Sequence, residues 1–306
     1  ACGRWTPVST HGTMRGVRLP TRTWLPGVLA LAACGEPGSR IVVVAYDESS
    51  RTYGLDARQF ETLRDVRALE GSVTSVRAGA EFIIDEYVLV APTIEEQLDR
   101  AVREEGNAVK FAAVEGDQGW VPADYHSLAM ASVYWNLERA AAFFQELGID
   151  FDELGHIPTY YLLTFAIEIA GYERVELTDN AAYSLIPGLD GFLVLEQKIL
   201  DDLPLAMNFG VMVHEYGHAV MARFRYGTPP TLDLSDIDSR CAVKMLDEGT
   251  SDYFGAVATA DPNFIAWSAP ASLFDRDLAE RRDLSESEVA ASVPTLVAPA
   301  VSAPAS

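Results

Sequence analysis

Cysteine is almost missing from this chain: three in 306 residues, Cys2 and Cys34 near the start and Cys241 alone beyond them. That set cannot build a disulfide framework, and Cys241 reads as a buried thiol rather than a nucleophile or ligand. Basic residues are scarce as well. Lys and Arg number 23 against 45 Asp and Glu, for a formal net charge of −22. A chain so acidic excludes nucleic acid as a partner, because phosphate binding needs a basic face. No D-x-[DN]-x-[DN]-G loop marks a calcium site, and no internal repeat is present. Histidine is sparse too, with five in all and none after His218. With 49% hydrophobic residues the chain can still hold one or two domains with real cores.

Two of the five histidines stand in His214-Glu215-Tyr216-Gly217-His218, an H-E-x-x-H pattern inside an apolar segment. On a helix, positions 214 and 218 are i and i+4, with Cβ atoms about 5–6 Å apart on one face. That spacing lets two imidazoles reach one Zn²⁺, while Glu215 beside them can take a proton from an activated water. Pro204 after Asp201-Asp202 predicts the helix start, an acidic N-cap with proline in the first turn. In the run LAMNFGVMVHEYGHAVMARF from Leu205 the only ionisable residues are His214, Glu215, His218 and Arg223. Burying two histidines and a glutamate is costly unless they are paired or bound to metal.

A second helix is predicted downstream, from Asp238 or Ser239 as cap, with Val243, Leu246, Thr250, Tyr253 and Phe254 as its apolar stripe. Glu248 and Asp252 are again i and i+4 on it. Glu248 can complete a His₂Glu zinc set with the fourth position open to water. Asp252 and Asp247 can each accept the free N–H of a ligand histidine and fix its orientation.

The segments HEYGHAV and DEGTSDYFGA resemble the thermolysin and fungalysin type of zinc metalloprotease, the gluzincins. The resemblance covers roughly residues 124–260 and is carried by both zinc segments. It implies His214, His218 and Glu248 as zinc ligands, Glu215 as general base, and Asp252 as the carboxylate that orients a ligand histidine. Asn180-Ala181-Ala182-Tyr183 is similar to the edge strand with which that family grips an extended peptide by main-chain hydrogen bonds, with Asn180, Ala181 and Tyr183 as substrate-binding residues. The segment around Tyr134–Leu137 looks like the long helix preceding that strand. Its apolar positions Met130, Val133, Tyr134, Leu137, Ala141, Phe144 and Leu147 keep a 3.6-residue period. The gap between His218 and Glu248 is longer than in thermolysin and contains Gly227-Thr228-Pro229-Pro230, which reads as a loop. Thermolysin-like enzymes use a further histidine downstream to stabilise the tetrahedral intermediate. This chain is therefore expected to be incomplete, or to use another donor such as Tyr226.

The N-terminus reads as an export signal. Arg15, Arg18 and Arg22 precede a short apolar core, followed by Leu31-Ala32-Ala33-Cys34. That core is too short to span a bilayer. The last four residues resemble a bacterial lipobox, which implies lipidation of Cys34; a simple secretory signal remains the other reading. Either way the protein is expected in the cell envelope or outside the cell, touching membrane only through a lipid anchor.

The expected fold is α+β. Residues 1–13 form a possible upstream extension and 14–34 the signal. A β-rich region follows over 35–121, with strands at Ile41–Tyr46, within Glu81–Val90 and at Val109–Val114, and a charged helix from Thr93. A mainly helical zincin-like catalytic region spans 122–285, and 286–306 is an Ala/Pro-rich disordered tail. The function expected is a zinc-dependent endopeptidase acting on protein or peptide. The alternative is an exported lipoprotein that keeps a degenerate metallopeptidase fold as a binding or structural module.

Overall fold

The computed structural model describes residues 38–87, 101–150, 154–169, 174–186, 188–198, 203–226, 237–269 and 278. All lie in the unit Glu36–Ser306. The expected export signal with Cys34, the expected C-terminal tail, Asp201-Asp202 and residues 227–236 of the insert lie outside them. The described chain is an α+β mixture.

The β-branched run after Arg40 forms β1 (Arg40–Asp47), which turns Ile41, Val43 and Ala45 inward on alternate residues. Its hairpin partner is β2 (Thr52–Gln59), and a parallel contact joins β1 to β10 (Gly119–Pro122), itself paired with β9 (Ala113–Gly116). Between them come β3 (Leu63–Asp65), β4 (Glu70–Gly71), β5 (Val76–Ala78), β6 (Glu81–Tyr87), β7 (Val102–Glu104) and β8 (Asn107–Ala108). After residue 150 follow β11 (Thr159–Tyr161), β12 (Thr164–Ile169), β13 (Val175–Leu177), β14 (Ala181–Ser184) and β15 (Gly191–Val194). One sheet runs β14-β15-β11-β5-β8, and another β13-β12-β6-β7. Strands from both sides of residue 121 thus share two sheets.

Among the described residues three α-helices carry the rest. In α1 (Tyr125–Glu146) the Asp124 carboxylate caps the first turn, accepting the Ser127 N–H at 2.7 Å. Gly148, at φ +92, ends it: its N–H returns to the Gln145 carbonyl, a conformation costly for any residue with a Cβ. Its predicted stripe is buried from Met130 to Phe144, while Leu147, past the last turn, is exposed. Against α1 packs α2 (Phe209–Val220), with Tyr216 stacked between Phe144 and Phe192 at ring distances of 5.5 and 5.6 Å. A π-helical turn, Met221–Tyr226, continues it. The third helix, α3 (Ile237–Thr259), lies along α2.

Several expectations are corrected. The H-E-x-x-H helix does not start at Pro204; Leu205–Met207 makes one 3₁₀ turn and α2 begins at Phe209. Asn208 is the true cap, and it is fully buried. Its Oδ1 accepts from Val211 N–H and the Tyr53 hydroxyl, and its Nδ2 donates to the Phe264 carbonyl and Ser268 Oγ. A side chain that satisfies four partners at once outcompetes a proline start.

The charged helix from Thr93 does not run through 102–104, which is β7 paired with β6; residues 88–100 lie outside the described chain. Val109–Val114 is not one strand, since β8 ends at Ala108 and β9 starts at Ala113. Val109 and Phe111 are nevertheless buried, because their N–H groups bond to Val76 and Arg67 carbonyls. Asp238 and Ser239 do not cap α3, which is already helical at Ile237. Leu246 and Tyr253, placed on its inward stripe, are 58% and 60% exposed. The inward face carries Glu248, Ser251, Asp252, Gly255 and Thr259, with Phe254 packed on Phe144 as expected.

Candidate metal centre

His214 and His218 share one face of α2, as i and i+4 residues must. Their rings stand edge to face at 4.7 Å, with the two Nε2 atoms 3.0 Å apart. Glu248 of α3 brings Oε2 to 3.6 Å from His214 Nε2 and 3.8 Å from His218 Nε2. These three residues form a group close enough to hold one metal ion. A point equidistant from the three atoms lies about 2.0 Å from each, within the bonding range of zinc to imidazole nitrogen and carboxylate oxygen.

The far side of each ring is held by α3. His214 Nδ1 lies 2.8 Å from Asp252 Oδ1, and His218 Nδ1 lies 3.1 Å from Asp247 Oδ2 and 3.2 Å from Ser251 Oγ. Carboxylates at both Nδ1 atoms favour the Nδ1–H tautomer, so the Nε2 lone pairs of neutral rings face one another. Two lone pairs at 3.0 Å need a cation or a proton between them. The donor set fits a metal.

Three glycines let the helices come close enough. A Cβ on Gly217 would stand 3.0 Å from Ser251 Oγ and 3.2 Å from its Cα, so a side chain there would push α3 and Glu248 away. Gly210 and Gly255 flank the Phe264 ring, where added Cβ atoms would fall 2.6 and 2.7 Å from ring carbons. Glycine inside a helix costs about 1 kcal/mol against alanine, and here it gives the approach the site needs.

Glu215 is buried beside the histidines, with Oε1 3.9 Å from His214 Nε2. Its other oxygen, Oε2, accepts the backbone N–H of Tyr183 at 2.8 Å. Burial pushes the Glu215 carboxyl above its ordinary value, against the pull of both histidines and the Tyr183 N–H. Burial alone would hold His214 below 6.5, but Asp252, Glu248 and Glu215 outweigh it and push its pKa up to about 9. In the metal-free protein His214 is therefore protonated at neutral pH, and a metal must displace that proton. Metal affinity should rise about tenfold per pH unit above 6.5 and level off near 9. Chelator competition at stepped pH checks this; a flat profile over that range would remove the proton from His214.

The group opens on a cleft of about 720 Å³. Asn180, Ala181 and Tyr183 line it beside His214, Glu215, His218, Asp247 and Glu248. Asp252 stands behind His214 and is not among the lining residues. Strand β14 is the edge of its sheet, and Ala181 faces Val194 in a pair flanked by the Leu195 N–H to Asn180 carbonyl bond. That register points the backbone groups of Ala181 and Tyr183 away from β15 and toward the cleft. The Tyr183 amide is committed to Glu215. The facing wall is apolar, with Leu205, Val211, Phe264 and Ile265.

Sequence reasoning missed Ser251, Gly217 and the tie from Tyr183 to Glu215. Ser251 falls three residues after Glu248 on the same helix face, so the spacing could have found it. Gly217 stands inside the motif itself. The Tyr183 contact is long-range and leaves no local signal. The side chains of Tyr226 and Cys241 lie outside the described residues. No model of a known protein family matches this chain, and no curated protein matches it.

Proposed function

We propose that this protein is a zinc-dependent endopeptidase of gluzincin type, with α2 and α3 as its zinc-binding helices. The reading rests on one observation: two histidine nitrogens and a glutamate oxygen converge beside a buried Glu215, in a cleft lined by an edge strand. His214, His218 and Glu248 would hold the ion. Bound there, zinc supplies Lewis-acid polarisation of a peptide carbonyl and a water acidified toward a pKa of about 7.

The chain's own residues do the rest. An extended peptide pairs with the open side of β14 through Ala181 N–H and C=O and the Tyr183 C=O, in the manner of strand addition. Glu215, fixed at Oε2 by Tyr183, has Oε1 free to take the proton from the attacking water and pass it to the leaving amine. Asp252 and Asp247 keep the ligand rings turned inward. Leu205, Val211 and Phe264 exclude bulk water from the wall, which strengthens these electrostatic contacts.

The test is casein hydrolysis by zinc-loaded protein, measured with its zinc content. The expected result is one zinc per chain, hydrolysis abolished by a chelator and restored by added Zn²⁺. Zinc at one per chain without hydrolysis would favour a metal-binding module that has lost turnover. No stoichiometric metal would end both.

A further inference from the structure

Arg223 is the one ionisable residue of the metal helix and its π-turn, outside the His214–His218 motif, whose side chain the structure describes. It lies eight residues beyond Glu215, about 12 Å along the axis. Its Nη1 donates to the Leu154 carbonyl, its Nη2 lies 3.5 Å from Asp190 Oδ2, and its Nε lies 3.5 Å from the Tyr183 hydroxyl. That hydroxyl in turn donates to Asp190 Oδ1 at 3.0 Å. At the other end of the same residue, the Tyr183 amide donates to Glu215 Oε2. Tyr183 is therefore gripped twice by one helix: at its backbone by Glu215 and at its ring by Arg223, with Asp190 from the β14–β15 turn closing the loop.

We propose that Arg223 and Asp190 are positioning residues: through the Tyr183 ring they hold strand β14 against the metal helix, and so hold Glu215 in its working orientation. The inference rests on the peptidase reading for its kinetic consequence but not for its geometry. The physical need is plain. β14 is four residues long and bonded to a neighbouring strand on one side only, so its cleft side has no ladder to fix it. A carboxylate held by one amide follows any shift of that amide. A displacement near 1 Å of a reacting group costs about a hundredfold in rate. Burial and Asp190 push the Tyr183 phenol up to about 12 against the pull of Arg223, so it remains a donor at working pH. The clamp touches neither the metal ligands nor the apolar wall, and its loss should leave both in place.

The experiment uses the full chain with Tyr183→Phe, Arg223→Met and the double variant. Amide hydrogen exchange at position 183 is followed in the metal-free protein, and zinc content and kinetics on a peptide in the loaded one. In the wild type that amide should be protected. Each single variant should exchange about tenfold faster there, since a fraying edge opens locally rather than globally. Zinc should stay at one per chain. The turnover number should fall about ten- to a hundredfold, and KM should rise as well, because the loosened strand also holds the peptide. The double variant should be no worse than the poorer single one, because both break the same tie.

Unchanged exchange at position 183 in both single variants would overturn the proposal. So would losses of turnover that multiply in the double variant, or loss of zinc in either single one. If the wild type shows no hydrolysis, the peptidase reading fails while the exchange result still decides the clamp. Should Arg223→Met not fold, Asp190→Asn carries the same exchange measurement.

Discussion

A Glu215→Gln variant should bind zinc as the wild type does and hydrolyse peptide about 10²–10⁴-fold more slowly, the range a positioned base contributes. The substitution isolates one property. Glutamine has the volume of glutamate, so the packing of α2 against α1 and α3 is kept. Its amide oxygen can still accept the Tyr183 N–H that now bonds Oε2. His214, His218 and Glu248, the group close enough to hold a metal ion, are untouched. What disappears is the basic Oε1 that faces the histidines. Hydrolysis within about threefold of wild type would remove Glu215 from the chemistry, because a general base is worth far more than that. Loss of zinc instead would mean that the carboxylate supports the metal rather than the proton.

Removal of the Glu248 carboxylate should act on the metal first. Glu248→Ala leaves two imidazoles, and the site loses the carboxylate oxygen that completes the group. Partners behind a ligand are typically worth about 10–100-fold in metal affinity, and a ligand itself more. Glu248→Ala should therefore lose at least about a hundredfold, read as absent zinc by elemental analysis at micromolar protein. Asp252→Asn provides the scale. It keeps His214, His218 and Glu248 and weakens the hold on His214 Nδ1, so a loss of about 10–100-fold is expected in chelator competition. Unchanged zinc content in Glu248→Ala would take Glu248 out of the ligand set. An Asp252→Asn loss as large as that of Glu248→Ala would mean that the ring's orientation, not the carboxylate, limits binding.

Much of the site could be read along the chain, but the helices around it were read less well. The pairs 214/218 and 248/252 were visible because a helix repeats every 3.6 residues, which is a property of the backbone alone. The alternation of Ile41, Val43 and Ala45 was visible for the same kind of reason. The start of α2 was misplaced because Asp201-Asp202-Pro204 looks like a cap, whereas Asn208 gains its advantage from Tyr53, Phe264 and Ser268, far away in sequence. The stripe on α3 was misplaced at Leu246 and Tyr253, though not at Phe254, which packs on Phe144, for a related reason. Leu246 and Tyr253 are the apolar choice, yet the face that meets α2 must be narrow and must carry ligands, so Ser251, Asp252 and Gly255 turned inward.

The sequence by itself determined which side chains stand one turn apart on each helix, and hence which chemistry each helix could bring. Local periodicity and residue type suffice for that. Only the tertiary structure decided that the two helices meet. Gly217 against Ser251 sets their approach, Asp252 and Asp247 choose their rings, and the Tyr183 amide finds Glu215 from a strand 32 residues away. Such contacts depend on how separate elements pack, and packing energy is spread over the whole core rather than written in any one segment.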